Sequence, residues 1–160
     1  MRQQNVMWQP VVIELNRSLY SEEMVCSMST QLFYIPETEN LQGNEEMHSH
    51  LVPASYHRVT ASGSAERIMN GEYDPSIVQT LVNCIQNAEQ RDRNVRNGLQ
   101  VMRNAAPSSY KPFIENIIRW QDDAERYLQN AKQLTMQVTG AAEGQGQSPY
   151  SQSQRAWPYF

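Results

Sequence analysis

Two long apolar stripes of helical period, hinged at a single proline, constrain this chain more than any other feature. Asp74-Pro75 opens the first. Aspartate is a favoured N-cap, and proline suits the first helical position because its missing N–H would have had no partner there. The apolar positions that follow are Ile77, Leu81, Cys84, Ile85, Ala88, Val95, Leu99, Met102 and Ala105. Steps of three and four residues are those of one helix face. Gly98 interrupts this face at a cost of about 1 kcal/mol relative to alanine. The stripe reaches Ala106, and Pro107-Ser108-Ser109 breaks it. Lys111-Pro112 starts a second helix, with Phe113, Ile114, Ile117, Ile118, Gln121, Ala124, Leu128, Ala131, Leu134, Thr135 and Val138 on its face and Gly140 as a natural stop. Each helix is then about 27–32 residues, or about 40–48 Å at 1.5 Å per residue. So short a turn makes them antiparallel neighbours.

A hairpin alone leaves the outer flank of its stripe bare, and Val78, Ile85, Phe113, Ile118 and Trp120 widen that flank. Such width suits a bundle of three or four helices. The expected class is therefore all-α, a long antiparallel hairpin over residues 63–140. A second copy of the chain would complete a four-helix bundle as a homodimer. Residues 1–62 offer only short candidates, such as Trp8 to Ile13 and Leu32 to Ile35 before Pro36, and read as loosely ordered. Met28 is a candidate alternative start within that region. Ser64 to Met69 reads as a short helix ended by Asn70-Gly71. Residues 141–160, rich in Gly, Gln and Ser and ending Trp157-Pro158-Tyr159-Phe160, read as a flexible tail able to dock a protein partner.

The formal net charge is -4 and the basic residues form no run, which speaks against nucleic-acid binding. No apolar stretch approaches the ~20 residues needed to span a bilayer. Val11-Val12-Ile13 is too short for the apolar core of a signal peptide. Cys26 and Cys84 share no disulfide pattern, and Cys84 lies on a core stripe. A reducing, cytoplasmic setting follows. No serine elbow, phosphate loop or Cys-x-x-Cys pair is present, so a nucleophilic enzyme is disfavoured.

The polar residues inside the stripes are the informative ones. Asp92 lies four after Ala88 and three before Val95; Asp122 lies four after Ile118, with Glu125 three further on. Folding the hairpin at Pro107 sets Asp92 opposite Asp122 and Glu125. Unpaired buried carboxylates are costly, so the three must be paired, protonated or bound to a cation. Arginines could neutralise them, and Arg96, Arg91, Arg119 and Arg126 are close in sequence. Alternatively, Asp92, Asp122 and Glu125 could hold iron or manganese, since carboxylate-rich sites suit hard ions.

The spacing Asp92, Ala106-Pro107, Asp122-Asp123-Ala124-Glu125 resembles the hairpin of ferritin-like proteins of the rubrerythrin type. In that family an inward Glu precedes Ala-Pro, and a Glu-x-x-His follows on the returning helix. The resemblance covers residues ~74–140 and implies a half-bundle that dimerises, as in encapsulated ferritins, around a carboxylate metal site. This chain departs from the pattern at the ligands: Asp92 and Asp122 stand where the family has Glu, and Glu125 where it has His. The upstream Glu45-Glu46-Met47-His48 formally contains Glu-x-x-His, but no helical stripe surrounds it, and His48 and His50 read as exposed. The Gln, Asn and Tyr content is similar to that of spore-coat proteins. The expected function is thus a non-catalytic assembly protein on a degenerate ferritin-like scaffold, in the cytoplasm or a spore layer. A carboxylate-ligated protein that binds or oxidises iron or manganese is the alternative.

Overall fold

The computed structural model describes residues 2–146, and the side chains of 6–140. All regular structure in it is helical. Helix α1 spans Arg2–Gln31 and ends in a 3-10 turn at Leu32–Tyr34; α2 spans Asn44–Met69, α3 Pro75–Ala105 and α4 Lys111–Gly146, the last preceded by a 3-10 turn at Ser108–Tyr110. Asp74 caps α3 as its sequence predicts, its carboxylate accepting from the Ser76 N–H at 2.8 Å.

The helices form a ring in chain order. Helix α1 packs on α2 and α4, and α3 packs on α2 and α4. The α2–α3 and α3–α4 connections are short, and side-chain hydrogen bonds pair Asn16 with Ser62 and Ser29 with Asn44 across α1 and α2, so neighbours alternate in direction. At the α2–α3 turn, Asn70 and Gly71 donate to carbonyls of the last turn of α2, and Gly71 takes φ +100°, a conformation glycine adopts without steric cost.

One rule places the core. On α1 the seam runs Trp8, Val11, Leu15, Ser18, Glu22, Val25, Ser29 and Leu32. On α2 it runs Asn44, Met47, Leu51, Ala54, Arg58, Ala61, Ala65 and Ile68. On α4 it runs Ile114, Ile117, Gln121, Ala124, Leu128, Ala131 and Thr135. All of these residues are buried. Alternating steps of three and four are the signature of helices that mesh along a common axis. Two apolar clusters result. One holds Trp8, Leu15, Ile68, Leu81, Ile85 and Leu128. The other, at the opposite end, holds Leu32, Met47, Leu51, Leu99, Met102 and Ile114. Gly98 allows α2 and α3 to approach: a Cβ there would lie 2.6 Å from Met47 Cβ. Its cost in helix propensity is the condition for that close packing.

The all-α class and the α3–α4 hairpin agree with the sequence reading; three details differ. The N-terminal region, expected to be loose, forms α1 and most of α2. Its period was hidden because Ser18, Glu22, Ser29 and Arg58 occupy seam positions, and because Pro10 and Pro53 lie inside the helices. Proline normally breaks a helix interior; here buried Leu51 and Ala54 flank Pro53 and hold the segment in place. Residues before Met28, among them Trp8 and Leu15, belong to the core. The second hairpin therefore comes from the same chain, which removes the reason for requiring a second copy. Helix α4 also runs past Gly140 to Gly146. The rest of the expected tail, 147–160, lies outside the described residues. Among the described residues no helix is long and apolar enough to cross a membrane.

Candidate functional site

Between the two apolar clusters the seam turns polar on every helix. Ser18 and Glu22 come from α1, Arg58 from α2, Asp92 from α3 and Gln121 from α4, and all are buried. Arg58, with no exposed surface, is the hub. Its Nη1 and Nη2 donate to Asp92 Oδ1 and Oδ2 at 2.8 and 2.6 Å, a two-pronged pairing that matches the guanidinium fork to the carboxylate. Nη1 also donates to Glu22 Oε2. Nε donates to Ser18 Oγ at 2.8 Å, and the Ser18 hydroxyl passes the chain on to the Ala124 carbonyl at 2.6 Å. One guanidinium thus ties all four helices together at one level.

The layer holds two carboxyl groups and one cation. Burial pushes the Glu22 carboxyl up to about 7 from its ordinary 4.5; Arg58 opposes the rise and Asp92 adds to it. Burial also disfavours the charge on Arg58, but Asp92 and Glu22 more than offset that, so its pKa lies above the usual arginine value. Three polar atoms at this level have no hydrogen-bond partner: Glu22 Oε1 and both amide atoms of Gln121.

The residues picked out from sequence fall on two different surfaces. Asp92 points inward as expected, but its partner is Arg58, about three helical turns before the end of α2. Asp122 does not lean inward: its side chain is 53% exposed. Gln121 takes the inward position because the seam runs Ile117, Gln121, Ala124. Glu125 lies at the edge. Arg96, one helical turn after Asp92 on α3, bridges Asp122 and Glu125 and so neutralises these two rather than Asp92. Burial raises the pKa of Glu125, with Arg96 opposing. Facing pairs such as Arg103–Glu115 and Lys132–Glu89 put the hairpin register about one turn from that expected by folding at Pro107. His48 and His50, expected to be exposed, are partly buried, and His48 Nε2 lies 2.8 Å from the Ser29 hydroxyl. Cys84 is buried and Cys26 exposed, both as free thiols.

A metal ion does not suit this donor set. Both Asp92 oxygens accept from Arg58, and Asp122 and Glu125 share the guanidinium of Arg96. An added cation would face two fixed cations. Among the described residues, no group of three or more His, Cys, Asp or Glu is arranged to hold a metal. Sequence reasoning missed Arg58 and Glu22. The signal was present in the steps Leu51, Ala54, Arg58, Ala61 and Leu15, Ser18, Glu22, Val25, which keep the seam spacing through the charged residue. Compared with known proteins, the chain matches no family model, no curated protein and no solved structure.

Proposed function

We propose that this chain is a non-catalytic helical bundle that acts through its shape and surface, with an internal arginine in the place where ferritin-like bundles carry metal. The observation behind the reading is the saturation of Asp92 by the Arg58 fork. A carboxylate so engaged on both oxygens is held as the buried partner of an arginine rather than presented to a substrate. The α3–α4 hairpin keeps the ferritin-like spacing. The α2–α3 connection, however, is only residues 70–74, where ferritin-like bundles have a long crossover. The likeness therefore rests on the sequence spacing of the α3–α4 hairpin and does not extend to the order of the helices. A role in a spore layer rests on composition alone.

The test is metal analysis of the full chain purified from cells supplied with iron and manganese, together with ferrous oxidation by wild type and Asp122→Ala. The reading predicts substoichiometric metal after dialysis and equal oxidation rates. Stoichiometric iron or manganese that is lost on Asp122→Ala would overturn it.

A further inference from the structure

A trough runs along the outer face where α1 meets α2. Glu22, Glu23, Leu51, Val52, Tyr56 and Val59 line it, and it encloses about 470 Å³, a size that admits a small organic ligand. Its walls are mainly apolar. Val52, Tyr56 and Val59 follow one another at helical spacing on the outer face of α2 and are 65, 67 and 53% exposed. A contiguous apolar stripe left in water marks a place where something binds.

The charge of the trough is one-sided. Among the described residues no Lys, Arg or His lines it, whereas two carboxyl groups do. Glu22 is the telling one. Its side chain is 1% exposed, one oxygen is taken by Arg58, and Oε1 has no hydrogen-bond partner. Ser55 also lines the trough, and its hydroxyl, hydrogen-bonding to the same carboxyl, opposes the rise of the Glu22 pKa. A buried acceptor without a donor is unfavourable, and a donor entering from the trough would relieve it. Above about pH 7, where Glu22 is ionised, Glu23 exposed beside it adds a second negative charge, and the Tyr56 ring can attract a cation to its face. Behind the floor, Arg58 is fully engaged by Glu22, Asp92 and Ser18, so one guanidinium stands against two carboxyl groups.

We propose that the α1–α2 trough binds a small organic cation, an ammonium group carried on an apolar or aromatic body. The ammonium N–H donates to Glu22 Oε1 within reach of Glu23, and the body lies against Leu51, Val52, Tyr56 and Val59. A neutral ligand of the same shape would bury its body equally well but leave the carboxylates unmatched.

The experiment titrates the isotope-labelled full chain by NMR at pH 8, above the Glu22 value of about 7, with 2-phenylethylammonium and, in parallel, with 2-phenylethanol, which has the same shape without the charge. The expected result is saturable shifts centred on residues 22–27 and 51–59, with the alcohol weaker by about tenfold or more, the equivalent of one charge-assisted contact. Val59→Lys sets a like charge at an exposed position of the mouth. It should weaken the ammonium by about tenfold while leaving the helical circular dichroism unchanged. Glu22→Gln should weaken it too; if that variant does not fold, Val59→Lys decides alone. Equal binding of amine and alcohol, shifts located elsewhere, or an unaffected Val59→Lys would overturn the proposal. So would a chain that sediments as a dimer and dissociates on Val59→Lys, because the trough would then be covered by a second copy.

Discussion

The molecule sets one arginine against two carboxylates twice, once in the core and once at its edge. Arg58 meets Glu22 and Asp92 with essentially no exposed surface on any of the three. Arg96 meets Asp122 and Glu125 with 38, 53 and 27% of the side chains exposed. The chemistry is the same and the solvent differs. At the edge, water screens the charges, and such pairs are worth about 0–1 kcal/mol. In the core, each charge has given up its hydration, so the cluster is stable only as a whole. The inner cluster therefore fixes which helices meet and in what register. The outer one tightens a hairpin that its apolar stripes already specify.

Three measurements would break or sharpen this contrast. The largest effect belongs to Arg58→Met, which leaves Glu22 and Asp92 buried without their cation. Urea unfolding at pH 7 should show a loss of about 3–5 kcal/mol. A loss no greater than that from Arg96→Met would erase the difference between the two sites.

The second effect is a pH dependence carried by Glu22. The folded state holds its proton up to about 7, whereas the ordinary value is 4.5. Between those values the folded chain binds the extra proton, so this contribution to stability is complete below about 4.5 and is lost as pH rises through about 7. Glu22→Gln, which mimics the protonated side chain, should match wild type at pH 5 and exceed it at pH 8. A variant less stable than wild type at pH 8 would mean that Arg58 holds Glu22 ionised. The smallest effect is that of Arg96→Met, about 0–1 kcal/mol and reduced further by salt. A larger loss would show that the edge cluster is shielded from water.

The same contrast explains what could be read from the sequence. The α3–α4 hairpin was legible because Asp74-Pro75 and Pro107 mark its ends and few polar residues, chiefly Asp92 and Gln121, interrupt its seams. Helices α1 and α2 were not, because Ser18, Glu22, Ser29 and Arg58 occupy seam positions and prolines stand inside both helices. A polar residue at a core position looks like the end of a stripe until its partner on another helix is known. Asp92 was recognised as buried and charged for this reason, but its cation lies 34 residues away on a helix that the hydrophobic period alone did not show. The edge pair of Asp122 and Glu125 was assigned to the same level as Asp92 because a register error of about one turn is invisible in a stripe that repeats every turn.

The claim that an arginine neutralises the core layer is tested most directly by the guanidinium signals of the unmodified chain. In NMR, Arg58 Nε–H should exchange slowly with solvent and show a contact to Ser18, and its Nη protons a contact to Asp92, while Arg96 Nε–H exchanges quickly at the same pH. An Arg58 signal that exchanges as fast as that of Arg96, with no contact to Asp92, would contradict the account.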